Sequence, residues 1–119
     1  MGRVVIVEDQ LIIGQVLGGV VEAAGHTVAC ICHKPERALA EILANAPDLV
    51  ILDIGLGGNQ SGADVLRDAR AKGYEGRAIF VSAYPEKTMK SELEGVTYSM
   101  YLIKPVSESR LKSALSSLL

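Results

Sequence analysis

The chain alternates short apolar runs with longer segments in which apolar residues recur at helical spacing. Each run is rich in apolar and β-branched residues and is too short for a buried helix, so each predicts a strand covered on both faces. The predicted strands are residues 3–7, 26–32, 48–53, 77–82 and 99–103. Between and after them, the helical spacing predicts five helices.

Local signals mark where these helices start. The residues that cap them or begin them are Gln10, Pro35, Ser61, Pro85 and Ser107. The first runs from residue 10 to residue 24 with a core stripe of Ile13, Leu17, Val20 and Ala24. The fourth, Pro85 to Glu94, is short and charged and is closed by Gly95. Strands that alternate with helices predict a parallel sheet with helices on both faces and right-handed crossovers.

Length and composition narrow the class of protein. The 119 residues suggest one domain, residues 1–119, and 49% hydrophobic with 22% charged residues is ordinary for a soluble protein. A net charge of −2 gives no electrostatic case for nucleic-acid binding, which needs a basic patch. The apolar runs are far too short to span a membrane, and no N-terminal signal pattern is present. We therefore interpret the protein as cytoplasmic.

Two cysteines, Cys30 and Cys32, do not make a disulfide framework. At alternate positions of a strand they point to the same face. With His26 and His33 they supply four potential zinc ligands, but the spacing matches no familiar zinc motif. We interpret the cysteines as small buried thiols on a strand.

Polar groups follow four of the predicted strands, at the edge where ligands bind in open α/β sheets. They are Glu8 and Asp9 after the first strand, Asp53 after the third, Ser82 after the fourth and Lys104 after the fifth. Three carboxylates placed together repel one another unless a cation compensates. Only oxygen ligands are available, which favours magnesium, manganese or calcium over zinc. A lysine suits a phosphate, and an Asp carboxylate is an established phosphoryl acceptor when a metal screens the incoming charge.

This constellation resembles the receiver domain of bacterial two-component response regulators, and the resemblance covers the whole chain. It rests on Glu8-Asp9, Asp53, Ser82-Ala83, Tyr101 and Lys104-Pro105, whose separations fit the family. The resemblance implies an α/β, doubly wound, flavodoxin-like sheet of five parallel strands in the order 2-1-3-4-5. It also implies a single-domain, phosphorylatable signalling protein that works by docking onto a downstream protein target.

The resemblance assigns a role to each residue around the acceptor. Asp53 would accept a phosphoryl group from a phosphohistidine on a sensor histidine kinase or a histidine phosphotransfer protein. Asp9, Asp53 and the backbone carbonyl of Gly55 would bind Mg²⁺, with Glu8 acting through water. Lys104 would pair with the phosphoryl oxygens. Such a protein catalyses its own phosphorylation and dephosphorylation without being a conventional enzyme.

The family also implies a switch. Ser82 would reorient toward the phosphate, and the Tyr101 ring would follow it inward. The Lys104-Pro105 peptide is expected to be cis, a form rare enough at X-Pro bonds to mark a specific role. We expect these changes to alter the surface of the fourth helix, fifth strand and fifth helix.

Three features depart from the family pattern. The loop after the acceptor contains Gly57-Gly58-Asn59 where a proline is usual, and Gly62 stands one place later than the usual loop glycine. Gly55 puts no side chain beside the acceptor, where many relatives have a polar or bulky residue. These departures concern the loop shape and the lifetime of the phosphate.

Leu11, Ile12 and Val16 are predicted to dock the phosphodonor. They lie near the start of the first helix, mostly off its core stripe and next to the acidic pair. Apolar residues exposed beside a charged site often mark a partner surface. The alternative is ordinary packing against neighbouring loops.

Other functions stay open at this point. The chain could be a non-phosphorylated pseudo-receiver that only binds partners, or a receiver fragment of a longer regulator with an output domain. A small phosphohydrolase with an aspartyl nucleophile usually carries a second acid shortly after that nucleophile, and Gly55 stands there instead. The complete set of acids, serine and lysine favours the phosphorylated receiver.

Overall fold

Five parallel strands form a single sheet in the computed structural model, which describes residues 2–56 and 60–119. The strands are β1 (Arg3–Val7), β2 (Thr27–Cys32), β3 (Leu49–Asp53), β4 (Arg77–Ser82) and β5 (Met100–Ile103). Their order is β2-β1-β3-β4-β5, which confirms the predicted doubly wound, flavodoxin-like arrangement. All residues of β3 are buried, as a central strand with helices on both faces requires.

Four α-helices connect and cover the strands of the described chain: α1 (Leu11–Ala23), α2 (Pro35–Asn45), α3 (Gly62–Ala71) and α4 (Glu108–Leu118). Three of them start where local chemistry predicts. Pro35 occupies the first turn of α2, and the Ser107 hydroxyl accepts a hydrogen bond from the Arg110 amide. Ser61 and Asp64 form a reciprocal capping box at the start of α3.

The prediction that the fourth of five helices spans Pro85–Glu94 was wrong. In this part of the described chain only a single 3₁₀ turn forms, Glu86–Met89, followed by turns to residue 95. Between residues 85 and 95 Leu93 is buried and Met89 is half-buried, while the other side chains are exposed. Isolated helices of this length are marginal in water, and here no apolar stripe supplies the missing packing energy.

Two apolar layers sandwich the sheet. One lies between the sheet and helices α2 and α3, and it includes Ala38, Ile42, Val65, Leu66 and Phe80. The other lies under α1 and α4, and it includes Leu17, Val20, Val21, Leu111 and Leu115. The predicted stripe of α1 is confirmed in its centre, at Leu17 and Val20, while its ends Ile13 and Ala24 are half-buried. Among the helices described, none has the length and hydrophobicity that a membrane span requires.

Candidate functional site

The carboxyl ends of β1 and β3 bring three carboxylates together. One carboxylate oxygen from each of Glu8, Asp9 and Asp53 lies within 4.8 Å of the others. Glu8 and Asp53 are buried, whereas Asp9 is half-buried. Neighbouring parallel strands in register produce this proximity, because Val7 pairs with Leu52 across the sheet. The predicted convergence of the acidic pair and Asp53 on one sheet edge is therefore present in the structure.

Lys104 completes this group, which is called the acid site below and consists of Glu8, Asp9, Asp53 and Lys104. Its Nζ atom lies 2.8 Å from Glu8 Oε1 and 2.9 Å from Asp53 Oδ2. Burial alone would lower the pKa of Lys104, but its hydrogen bonds to Glu8 and Asp53 outweigh that effect and raise the pKa. The lysine is therefore held as a cation between two carboxylates.

Glu8 has no solvent-exposed surface. Burial raises the pKa of its carboxyl, while the hydrogen bonds from Lys104 and from the Gln10 amide oppose that shift. The Gln10 amide donates to Glu8 Oε2 over 3.2 Å. Both carboxylate oxygens of Glu8 thus have a hydrogen-bond partner, as a buried acid requires.

The backbone just beyond Asp53 packs closely around this residue. The Gly55 amide donates to Asp53 Oδ1 over 3.0 Å. At Gly62, the first residue of α3, an added Cβ would lie 2.2 Å from the Asp53 carbonyl oxygen, so only glycine fits. Gly55 is different, because a Cβ there would meet only Asp53 Oδ1 at 3.8 Å. The predicted feature Gly57-Gly58-Asn59 lies outside the described residues.

Ser82 and Tyr101 both contact the backbone of Tyr84. The Tyr84 amide donates to Ser82 Oγ over 3.1 Å, and the Tyr101 hydroxyl donates to the Tyr84 carbonyl over 2.6 Å. Ser82 is buried, and the half-buried Tyr101 packs against the core layer under α2 and α3. Sequence reasoning missed Tyr84, because its contribution is made by backbone atoms that carry no residue-specific signal.

The sequence matches the response regulator receiver domain over residues 4–116. The chain belongs to this receiver family. It is 28% identical over 118 residues to the phyllosphere-induced regulator PhyR of Methylorubrum extorquens, a match that covers 98% of this chain and 43% of that protein. The receiver spans between 43% and 47% of the length of the curated relatives that it matches.

Solved structures show the same receiver fold. The chemotaxis protein CheY4 of Vibrio cholerae superposes with a TM-score of 0.89 at 21% identity, covering 100% of this chain and 99% of that one. A mutant of the anti-anti-sigma factor PhyR from Bartonella quintana superposes with a TM-score of 0.85 at 27% identity. That superposition covers 98% of this chain and 48% of the PhyR chain.

The receiver's carboxylates form a donor set that suits a hard divalent cation. Within residues 2–56 and 60–119, Glu8, Asp9 and Asp53 are the only group of three or more potential metal ligands close enough to share an ion. All three offer oxygen, which Mg²⁺ prefers. The histidines near the cysteines have other partners, since His26 accepts from the Gly2 amide and His33 contacts the Glu8 carbonyl.

An exposed apolar surface lies beside the acid site of this receiver. Leu11 and Val16 are each 59% exposed and Ile12 is 75% exposed, which places the predicted docking residues at the surface. Ile12 and Val16 line a groove of about 340 Å³ that ends at Lys104 and Pro105. The Lys104-Pro105 peptide is cis, as the family resemblance implied.

A second cleft opens directly over Asp53. This cleft, of about 610 Å³, is lined by Asp53, Gly55, Ser82, Tyr84 and Lys104 together with residues from the start of α3. It is open to solvent above the buried Asp53 carboxylate.

Proposed function

We propose that this receiver accepts a phosphoryl group on Asp53 from a phosphohistidine of a sensor histidine kinase or histidine phosphotransfer protein. The observation that carries the proposal is the position of Asp53, which ends a central strand at the floor of an open cleft. Lys104 Nζ lies 2.9 Å from its carboxylate, and two further acids stand beside it. We extend the proposal to the whole chain as one cytoplasmic receiver unit, residues 1–119.

The transfer requires an exchange of one bond to phosphorus. An Asp53 carboxylate oxygen forms a bond to the phosphorus atom while the phosphorus–nitrogen bond of the phosphohistidine breaks. The bonding electron pair stays on the imidazole nitrogen, so no redox partner is needed. Lys104, already held beside Asp53, would pair with the phosphoryl oxygens.

The acid site would also hold Mg²⁺. Asp9, Asp53 and the Gly55 carbonyl would be direct ligands, and Glu8 would act through water. A bound divalent cation offsets the repulsion between the carboxylates and the incoming phosphoryl group. The negative charges of Glu8, Asp9 and Asp53 outnumber the single charge of Lys104, which favours cation binding.

Mass spectrometry of the intact protein tests the assignment. Wild type, Asp53→Asn and Asp9→Ala are incubated with phosphoramidate and Mg²⁺, with an EDTA-treated sample as the metal control. We expect one phosphate on wild type, none on Asp53→Asn and little on Asp9→Ala or in EDTA. An amount of phosphate on Asp53→Asn equal to that on wild type would contradict the assignment of Asp53 as the phosphoryl acceptor. No phosphate on any sample would favour a pseudo-receiver that only binds partners.

The apolar groove at Ile12 and Val16 is proposed to dock the phosphodonor protein. Ile12 and Val16 are exposed, and Lys104 of the acid site also lines this groove, so a partner bound there would present its phosphohistidine to the cleft. Ile12→Asp should slow transfer from the partner while phosphorylation by phosphoramidate stays normal. Equal loss with both donors would indicate misfolding, and no loss with either would refute the docking role.

The output is proposed to be protein docking. Ser82 and Tyr101 are linked through the Tyr84 backbone, so a change at one can reach the other. One relative is an anti-anti-sigma factor by name, which makes a regulatory protein the favoured class of downstream target. Pull-down with the phosphorylated and unphosphorylated forms tests this proposal, and identical captured sets would contradict it.

A further inference from the structure

His33, the residue that follows β2, makes a side-chain hydrogen bond to the backbone of the acidic pair. It is half-buried just after this strand, and its Nδ1 atom lies 2.9 Å from the Glu8 carbonyl oxygen, across 25 positions of sequence. A carbonyl oxygen only accepts hydrogen bonds, so this contact requires a proton on Nδ1. Both the neutral Nδ1–H form of imidazole and the imidazolium ion supply it.

This hydrogen bond completes the fixation of Glu8. Its amide donates to the Cys32 carbonyl over 3.0 Å, and its carboxylate oxygens are bonded to Lys104 and to the Gln10 amide. The carbonyl is the remaining polar atom, and His33 bonds to it. All four polar atoms of Glu8 therefore have partners.

The same carbonyl belongs to the peptide that joins Glu8 to Asp9. Among the described residues, no hydrogen bond holds the Asp9 carboxylate. The backbone sets the direction of its Cα–Cβ bond, and with it the region that the carboxylate can reach. A donor that fixes the Glu8–Asp9 peptide plane also limits where the Asp9 carboxylate can lie relative to Asp53.

Helix α1 leaves a fitted space for the imidazole ring. At Gly14, a buried position of α1, an added Cβ would lie 3.2 Å from the His33 Cε1 atom and 3.0 Å from Ile31 Cγ2. Both distances are tighter than ordinary van der Waals contacts. One edge of this half-buried ring thus lies close against α1, with Nδ1 directed at the Glu8 carbonyl.

We propose that His33 is a positioning residue for the cation site: its Nδ1–H fixes the Glu8–Asp9 peptide and so places the two acids for Mg²⁺. This inference rests on the proposed function, because it takes the acid site as the place where the cation binds. Groups that orient metal ligands without touching the metal typically change affinity by about 10- to 100-fold when removed.

Two variants with branched side chains, both without the aromatic ring, separate the effect of losing the hydrogen bond from the effect of losing the ring. His33→Leu removes the donor, whereas His33→Asn retains one, because the asparagine Nδ2 lies the same number of bonds from Cα as the histidine Nδ1. Isothermal titration calorimetry of the 119-residue chain with MgCl₂ should show about tenfold weaker binding for His33→Leu. His33→Asn should stay within about twofold of wild type.

A second measurement, without metal, reads the backbone directly. Both variants lack the aromatic ring, so a difference between their Asp9 and Gln10 amide shifts reports the hydrogen bond and not a ring-current effect. We expect the Asp9 amide shift to differ between His33→Asn and His33→Leu, and equal shifts in the two variants would contradict the hydrogen bond. Thermal unfolding verifies the fold, and His33→Met, which also lacks a donor, replaces His33→Leu if that variant does not fold.

The outcomes distinguish this inference from the proposed function. Equal Mg²⁺ affinities of wild type and His33→Leu, or equal losses in the leucine and asparagine variants, would overturn the positioning role while leaving phosphorylation of Asp53 intact. No Mg²⁺ binding by wild type would overturn it as well. The expected affinity series in a protein whose Asp53 takes no phosphate would overturn the proposed function and leave the positioning role standing.

Discussion

Two regions around the cleft over Asp53 are each held by a basic side chain, but the partners of that side chain differ. In the acid site, Lys104 Nζ lies between two buried carboxylates at 2.8 and 2.9 Å. In the β4–β5 connection, residues 83–99, the basic partner is Arg67 of α3, whose Nη2 atom donates to the backbone carbonyls of Glu92 and Glu94 at 3.0 and 3.1 Å. The first contact joins opposite charges. The second holds a main chain that forms only a single 3₁₀ turn in the described residues, and Arg67 Nη1 also pairs with the partly exposed Asp64 at 2.9 Å.

A second arginine shows the same use of the backbone. Arg70 donates to the Thr97 carbonyl over 3.0 Å and to the Gly76 carbonyl over 2.6 Å. Bonds from a charged donor to a neutral carbonyl near solvent are modest, while a buried ion pair is costly to break. We therefore expect the contacts of the acid site to cost more free energy to break than those that hold the β4–β5 connection.

The largest expected effect comes from removing the lysine of the acid site. Lys104→Met leaves Glu8, which has no exposed surface, without its cation, so the free energy of unfolding should fall by about 3 kcal/mol. Urea denaturation measures it. Lys112→Met is the matched control, because Lys112 pairs with Glu108 at 3.6 Å on the exposed face of α4 and should change stability by less than about 0.5 kcal/mol. Equal effects of the two substitutions would contradict the comparison.

The next effect concerns the β4–β5 connection. Arg67→Leu removes both bonds to the backbone carbonyls together with the exposed ion pair to Asp64, and it should lower the free energy of unfolding by about 1 kcal/mol. Hydrogen exchange should accelerate at the Leu93 and Val96 amides, which donate within this connection, and stay unchanged at Gly55. Arg37→Leu serves as the control on α2, where the side chain is 70% exposed and has only a 4.0 Å contact with Glu41. Unchanged exchange at Leu93 would show that the arginine does not hold the connection.

A smaller effect should link the two regions. Coupling free energies between sites are typically about 1–3 kcal/mol, and we expect the low end because the path runs through the Tyr84 backbone. With beryllofluoride, a mimic of the phosphoryl group, wild type should shift amide resonances around Asp53 and across residues 84–112. Ser82→Ala should retain the local shifts and lose most of the distant ones. Survival of the distant shifts in Ser82→Ala would mean that the serine is not the coupling residue.

The smallest effect is a dependence on pH within the connection. The Tyr98 hydroxyl donates to the Glu86 carboxylate, and this hydrogen bond, assisted by burial, raises the pKa of Tyr98 to about 12. A folded-state pKa above the ordinary value of 10.0 means that this stabilisation is complete below pH 10 and is lost as pH rises toward 12. The stability difference between wild type and Tyr98→Phe should therefore shrink across that window. A difference that stays constant would show that the Tyr98–Glu86 bond adds nothing to folding.

Much of the fold follows from local patterns in the sequence. The runs ending at Val7, Asp53 and Ser82 form strands with those ends, because short β-branched segments covered on both faces have few alternatives. Helix starts at Pro35 and after Ser61 and Ser107 were equally predictable, since capping depends on neighbouring residues. Prediction from local patterns failed for the segment after Pro85, because a charged stretch with helical propensity still needs an apolar face to pack.

The sequence by itself determined which polar side chains meet at the carboxyl edge of the sheet. Parallel strands place their carboxyl ends at one edge, so the positions of Glu8, Asp53 and Lys104 along the chain were enough to predict that they meet. Only the tertiary structure decided which atoms make contact. The bond from His33 to the Glu8 carbonyl and the shared use of Tyr84 by Ser82 and Tyr101 join residues distant in sequence through backbone atoms. Every residue carries such atoms, so no local pattern distinguishes the ones that are used, and only the packing of the whole chain selects them.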